Sequence, residues 1–525
     1  MRAEPASGLD GRGPVRLGAR ATGGAADRYR STDVILVGAG PVGLMLAGEL
    51  RLGGARVTVL ERLAEPTGES RATHLNTRTM EVLDQRGLLD RLGEVGCDRT
   101  SHFGGIPVDL SRLPSRHPGH WRVRQSLVES VLATWVRELG VDVRRGHELC
   151  DLTVTDGGVE ATVRSRAGAR RMSAGYLVGC DGEESTVRAL AGFELAGSTA
   201  ERLLYRADLL GVDLAERRLR RYPAGVASAA RRDDGTTRIM VHEFGRPPAR
   251  QGRVPAFADV AAAWQRVTGE DVHAARPVWL DSFDDASLQV TRYRQGRVLV
   301  AGDAAHVQMP VGGQAVNLGI QDAVNLGWKL AAEVRGWAPP GLLDSYHDER
   351  HPVGARVLKD VRAQALLLFG GPEMEALRAV LTELLGSTEA QAHLAGAISG
   401  LDVRYRAGGP ADPLVGCRIS HHALLTAAGW SSTTALLRPA RGVLVCATTS
   451  RQQIARFRAV AEGWTGRVRA LTARPDRSSA LHAERAVLLR PDGHVAWTAS
   501  GSGQLRAALH RWFGAPGDEP LPALD

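Results

Sequence analysis

The ordered pattern of the chain opens on an uninterrupted apolar run, Val34-Ile35-Leu36-Val37. Such a run without polar alternation marks a strand buried on both faces, so a parallel-sheet strand is expected. Glycines follow at 38, 40 and 43, and residues 44–52 carry helical apolar spacing. A second apolar strand, 57–60, ends at Glu61. From Thr77 the spacing is helical again, through Met80 and Leu83. Another helix starts near Gln125, where Ser126 and Glu129 fit a capping box that would leave Gln125 pointing out of the helix end. Strands are expected at 142–145, 159–163 and 176–179, the last running into Cys180-Asp181-Gly182.

Between 197 and 285 the pattern shortens to β-like runs (203–208, 238–244, 278–283) around one helical stretch at 257–267. This predicts a separate sheet inserted into the first domain. The α/β pattern returns at 297–306, an apolar strand ending in Gly302-Asp303, and leads into a long, mostly apolar helix over 315–335, expected at the centre of the fold. Helical stretches continue to about residue 399, and a Pro/Gly-rich linker occupies 408–413. Beyond it, a strand at 442–447, a helix at 451–462, a strand at 468–471, a hairpin over 486–498 and a helix at 505–513 have a thioredoxin-like order. The expected class is α/β: a Rossmann-like domain from 31–196 plus 286–400, an inserted substrate-binding β-sheet domain at 197–285, and a thioredoxin-like C-terminal domain at 410–525. Residues 1–30, rich in Gly, Ala and Arg, lack periodicity and a signal-peptide apolar region, and read as a disordered extension or a start codon placed too early.

The glycines change the picture from fold to chemistry. Gly38, Gly40 and Gly43 have the G-x-G-x-x-G spacing: a tight turn, close approach to a pyrophosphate, and close helix packing. Glu61 stands about 20 residues on, where an acid binds a ribose 2′-hydroxyl. Its charge repels a 2′-phosphate, which leaves the adenosine of NAD or FAD. Arg71, in a polar loop, reads equally as a phosphate ligand or a surface ion pair.

Composition mainly excludes. The net charge of +8 over 525 residues is almost all arginine, since Lys329 and Lys359 are the only lysines. It is scattered rather than clustered, so no nucleic-acid partner is expected. No apolar run approaches the ~18 residues of a membrane span. The five cysteines are widely spaced with no C-x-x-C, which suits reduced thiols in the cytoplasm better than disulfides or a metal site. The C-terminal unit therefore lacks a redox dithiol, and a structural or dimerisation role is expected for it; the chain is a monomer or homodimer.

Together, Gly38 to Gly43, Cys180-Asp181-Gly182 and Gly302-Asp303 resemble the marks of the FAD-dependent aromatic hydroxylases, the para-hydroxybenzoate hydroxylase superfamily. The strongest resemblance is to its angucycline hydroxylases of the gaudimycin and jadomycin type. It is carried by Arg78-Thr79-Met80-Glu81, His102-Phe103-Gly104-Gly105, Gln321-Asp322-Ala323-Val324-Asn325, Leu343-Asp344-Ser345-Tyr346-His347 and Arg490-Pro491-Asp492-Gly493-His494. The resemblance implies a bound FAD. Glu61 would hold the adenosine ribose, and Gly38, Gly40, Pro41, Val42 and Gly43 the pyrophosphate. Arg62, Arg71, Gln125, Asp181, Gly302 and Asp303 would serve the phosphate and ribityl region. Pro310, Gly313, Ala315, Val316 and Asn317 would lie along the isoalloxazine, with the helix N-terminus at its pyrimidine end. Phe103, Trp279 and Phe283 are candidate substrate walls.

The implied activity is hydroxylation of an aromatic polyketide, angucyclinone-like, in antibiotic biosynthesis. NADPH would visit to reduce the flavin, and O2 would form a C4a-hydroperoxide that transfers oxygen to an electron-rich ring carbon. No side-chain nucleophile or metal is then needed. Baeyer–Villiger insertion, an NADPH-independent flavin dehydratase or oxidase, and a redox-silent FAD-binding protein are alternatives. Three positions depart from the family pattern: Ala315 where a glycine is usual, Glu183-Glu184 where Gly-Arg is usual, and Leu288 where an arginine is common. They imply a flavin that binds with altered position or reduction, through backbone strain if position 315 requires positive φ.

Overall fold

The computed structural model describes residues 32–67, 72–232, 234–246, 255–406, 412–476, 479, 481, 484–499 and 504–517. The expected extension at 1–30, Arg71 and most of the 408–413 linker lie outside them.

Six strands form the central sheet, in the order Arg294–Gln295, Val298–Val300, Tyr176–Gly179, Val34–Val37, Val57–Glu61, Asp142–Arg145. All pairings are parallel except that of the edge strand Arg294–Gln295. Val34 stands opposite both Tyr176 and Val57, so the neighbouring strands are in step. Consequently Gly38, Glu61, Asp181 and Gly302-Asp303 all emerge at the carboxyl edge, where open α/β sheets place their ligands. Val34 to Leu36 are fully buried, as an apolar strand sandwiched by helices must be.

The helix Pro41–Leu52 lies against the long helix Gln314–Val334. Small residues allow the close approach: a Cβ on Gly327 would come within 2.3 Å of the Glu49 Cβ, and one on Gly319 within 2.6 Å of Val42 Cγ2. The long helix is buried over nearly its whole length, as its apolar sequence predicts.

The inserted unit is a five-stranded antiparallel sheet, ordered Arg217–Tyr222, Gly225–Arg231, Thr237–Glu243, Leu203–Leu210, Arg276–Asp284. The sequence pattern missed the first two strands, which are rich in arginine and alanine. Helix Phe257–Thr268 covers one face through Val260, Trp264 and Val267. The other face turns toward the carboxyl edge of the main sheet, and Leu204, Val226 and Met240 pack there against Leu368 and Phe369 of helix Ser345–Phe369.

The C-terminal sheet runs Gly429–Ser432, Ala423–Thr426, Val468–Pro475, Gly442–Cys446, Ala486–Leu489, Val495–Thr498. Gly442–Cys446 pairs parallel with Val468–Pro475 and antiparallel with Ala486–Leu489, the thioredoxin-like arrangement. Trp328 and Leu342 share a core cluster with Trp512 and Phe513, so this unit is welded to the main domain. A buried ion pair crosses the same seam, Arg490 to Glu349 at 2.5 Å, and Lys329 holds Glu349 from the main-domain side at 2.7 Å. Among the described residues no helix is long and apolar enough to cross a membrane.

Candidate functional site

A cleft of about 2350 Å³ runs from the carboxyl edge of the central sheet to the uncovered face of the inserted sheet. Its first end is the glycine turn. Gly38 adopts φ +104°, and an added Cβ would lie 2.3 Å from the Cys180 carbonyl oxygen, so only glycine fits the crossing of the two strand ends. Gly40 caps Pro41–Leu52 with no side-chain hydrogen bond, and Pro41 occupies the first turn. The first-turn amides beyond Pro41 therefore have no carbonyl one turn back and face the cleft, a ready anion site. Glu61 closes this end: its Oε2 accepts from Ala39 N at 2.8 Å and its Oε1 from Leu63 N at 2.9 Å. Each oxygen keeps a lone pair for a hydroxyl donor.

The middle of the cleft is lined by Gln125, Asp181 and Asp303. Asp181 accepts from Ser185 Oγ at 2.5 Å and Val187 N at 3.0 Å, and so holds the start of helix Thr186–Leu190. Burial raises its pKa above the ordinary aspartate value despite these bonds. Asp303 is solvent-facing on a short 3-10 turn, Gly302–Ala304, that is braced from behind. Asp322 takes the Gly302 amide at 3.3 Å, His306 Nε2 at 2.8 Å and Arg350 Nε at 2.7 Å, all fully buried. Burial pushes Asp322 up, but Arg350 and His306 outweigh it and keep the carboxyl below its usual range. His306 is thus a structural partner, as its place after the Gly-Asp turn suggests.

At the far end, Gly312 (φ 69°) and Gly313 (φ 65°) form the turn that starts the long helix, again without a side-chain cap. Ala315 and Val316, in its first turn, line the cleft. The expected strain at Ala315 is corrected here. Position 315 lies inside the helix and the left-handed conformations fall on the two glycines before it, so its Cβ meets no backbone penalty. Asn317 sits just behind the wall, where its Oδ1 accepts from Asn76 N (2.9 Å) and its Nδ2 donates to Gly313 O (2.7 Å). Gly43 and Gly302 likewise shape the wall from behind, whereas Gly38, Gly40, Pro41, Val42, Glu61, Arg62, Pro310 and Gly313 line the cleft directly.

Of the departures, Glu183 and Glu184 are exposed on the wall beside Asp181, and Arg188 donates to the carbonyls of Glu183 and Ala304. Leu288 lines the wall from a strand pairing Gly197 and Val307, so an apolar side chain stands where an arginine is common.

Three expectations are not met. Gln125 is itself the first residue of helix Gln125–Glu138; its Nε2 donates to Glu129 Oε1 (2.9 Å) and its Oε1 accepts from Ala72 N (3.2 Å). Glu129 is therefore not the partner of a Ser126 cap. Phe103 packs behind the cleft with Val108 and Leu110 rather than lining it. Trp279 is clamped between the guanidinium groups of Arg206 and Arg238, each 4.9 Å from its ring, and also does not line the cleft. Phe283 does line it, beside Leu219, Met240, Leu368 and Phe369. The last two close an apolar helix end, Leu366 to Phe369, whose run was the available signal for this wall.

The cleft suits a long dinucleotide with a planar ring at one end. A carboxylate and open helix N-terminus stand at one extremity, acceptors for hydroxyls in the middle, and a second open N-terminus beside an apolar chamber at the other. Comparison with known proteins agrees. The family described as "FAD binding domain" matches residues 31–361, and "Aromatic-ring hydroxylase, C-terminal" matches 412–516. The chain is 41% identical over 507 residues to the 12-dehydrotetracycline 5-monooxygenase/anhydrotetracycline 6-monooxygenase of Streptomyces rimosus, covering 92% of this chain and 99% of the relative. It resembles the solved structure of BexE, studied for oxidation during BE-7585A biosynthesis, with TM-score 0.88 and 51% identity over 93% of this chain and 100% of BexE. It also resembles CabE, an aromatic hydroxylase from angucycline biosynthesis, with TM-score 0.89 and 48% identity over 92% of this chain and 99% of CabE. With the first match spanning well over half of the sequence and these relatives aligning end to end, the chain belongs to the FAD-binding-domain family, in the branch that carries the aromatic-ring hydroxylase C-terminal domain.

Proposed function

We propose that this protein is an FAD-dependent monooxygenase that hydroxylates an aromatic polyketide of angucyclinone type in antibiotic biosynthesis, with NADPH as a visiting reductant and O2 as co-substrate, acting in the cytoplasm. One observation carries the reading: a single cleft joins a dinucleotide-type end at Gly38 and Glu61 to an apolar chamber beneath the inserted sheet, with the N-terminus of Gln314–Val334 between them.

Glu61 accepts ribose hydroxyls, and its charge keeps a 2′-phosphate out, so NADPH is not the resident of this end. The amides of Val42 and Gly43 take the pyrophosphate. Asp303 and Gln125 bond the ribityl chain. The N-terminus of the Gln314 helix opens on the cleft, and its partial positive charge would favour negative charge on a ring bound beside it. Bound FAD, once reduced, supplies oxygen activation and transfer. The chain's part is to orient the aromatic ring and exclude water, through Met240, Phe283, Leu368 and Phe369.

The test is turnover of FAD-loaded protein with NADPH, ¹⁸O2 and an angucyclinone. Hydroxylation gives a product heavier by one labelled oxygen, with NADPH loss. A ring-expanded lactone would move the reading to Baeyer–Villiger insertion. Product without NADPH, or no turnover by fully flavinylated protein across such substrates, overturns it.

A further inference from the structure

The chamber is not apolar all round. The cleft that Met240, Phe283 and Phe369 line is also lined from three short strands that the sequence pattern did not mark: His74–Leu75, Cys97–Asp98 and His120–Arg122. The hairpin Thr100–Phe103/Ile106–Asp109 stands beside them and packs against the Val311–Gly313 turn. From this side His74, Thr100, Ser101, His102 and His120 line the cleft. The rings of His74 and His120 stack at 5.6 Å with an interplanar angle of 29°. His120 Nδ1 lies 3.4 Å from Ser101 Oγ, and its Nε2 is buried without a hydrogen-bond partner. His74 is about one-third exposed toward the cleft, with Nδ1 2.9 Å from Thr73 Oγ1 and Nε2 3.7 Å from Asp98 Oδ2. His102 accepts the Gly105 amide at Nδ1 (3.3 Å), which puts the proton on Nε2.

Imidazoles and hydroxyls can each give or take a hydrogen bond. A cleft lined by such groups along one stretch and by apolar side chains along another sorts a flat ligand by its edges. We propose that His74 and His102 are specificity-determining residues that bind the oxygenated edge of the substrate, a polycyclic aromatic with phenol and quinone or ketone oxygens side by side, while its hydrocarbon edge packs on Met240, Phe283 and Phe369. The assignment rests on the hydroxylase reading and adds to it which edge of the substrate is read, and by which residues. His120 acts through His74, whose ring it supports, and is a positioning residue. The charges that face this cluster are Asp98, which attracts protons to His74, and Arg122, which repels them; burial lowers the pKa of both His74 and His120. His74 and His120 therefore meet a ligand as neutral imidazoles at neutral pH.

The test compares two probes on the FAD-loaded full chain: 1,8-dihydroxyanthraquinone, which carries the oxygenated edge, and unsubstituted anthraquinone, which lacks its hydroxyls. Binding is followed by titration calorimetry. The wild type is expected to bind the dihydroxy probe at least tenfold more tightly. His74→Phe with His102→Phe brings the two within about twofold while leaving anthraquinone affinity and FAD content unchanged. Should the double variant lose FAD, His102→Phe alone, on the hairpin, is expected to remove at least threefold of the preference. An undiminished preference in a variant that keeps its FAD overturns the polar wall and leaves the hydroxylase reading standing. Failure of the flavinylated wild type to bind either probe overturns the aromatic-substrate reading itself, and the wall with it.

Discussion

Gly40→Asp separates folding from cofactor binding at one atom. Gly40 has φ −76° and ψ −177°, which any residue adopts, and a Cβ added there meets nothing within 4 Å. It is the uncapped N-cap of Pro41–Leu52. Aspartate is a favoured N-cap that satisfies first-turn amides and complements the helix dipole, so the apo protein gains from a few tenths to about 1 kcal/mol. The same carboxylate occupies the amides that a pyrophosphate needs. A unit charge about 4 Å from a phosphate charge costs about 4 kcal/mol at an effective dielectric of about 20. FAD affinity should therefore fall by ~10²–10³-fold, about 3–4 kcal/mol. Gly38→Ala is the control of opposite kind: its φ of +104° and the 2.3 Å approach to Cys180 O predict a loss of at least about 2 kcal/mol in stability. Apo melting temperature and flavin-fluorescence titration measure both terms. Wild-type FAD affinity in Gly40→Asp would refute phosphate binding at this turn. An apo melting temperature falling as far as in Gly38→Ala would refute the openness of position 40.

Three further outcomes follow from the geometry. Ala315→Gly, which restores the usual family residue, should leave FAD affinity and the flavin spectrum unchanged and cost up to about 1 kcal/mol of stability, because position 315 is helical; tighter FAD binding in this variant would contradict it. Arg86 pairs with Glu49 at 2.5 Å in a fully buried site and donates to the carbonyls of Leu437 and Pro491 (2.9 Å each), so Arg86→Met should cost about 3–5 kcal/mol in urea unfolding and loosen the C-terminal unit, whereas a loss under 1 kcal/mol would show the pair to be dispensable. Burial pushes His120 down to about 4 from 6.5, so between those values the unfolded chain binds a proton that the folded chain does not. Stability should fall as pH drops from 6.5 toward 4, by up to about 3 kcal/mol from this group, and His120→Phe should flatten that part of the pH–stability curve.

What could be read from the sequence follows from where each signal lies. The Val34–Val37 strand, the glycine turn, Glu61, the Gly302-Asp303 turn and the long helix are all local: an apolar run, a breaker and a helical period within a few residues of each other. They mark one end and the middle of the cleft. Ser126 and Glu129 also satisfied a local rule, yet Gln125 reached Glu129 first because the helix begins two residues earlier than the capping box requires. Phe103 and Trp279 have the composition of a pocket wall, but only the packing of Val108 and the flanking arginines decides which way they turn. The histidine wall sits on strands of two to four residues, too short for any period to show. Contacts such as Arg490 to Glu349 join residues 141 apart in sequence, and nothing near either one announces the other.

The most direct test of the account is a crystal structure of the FAD-loaded protein. It should show the adenosine ribose on Glu61, the pyrophosphate at the amides after Pro41, and the isoalloxazine between the Gly312–Val316 turn and the chamber bounded by Phe283 and His74. Flavin density anywhere else, or a cleft that stays free of flavin at saturating FAD, would contradict it.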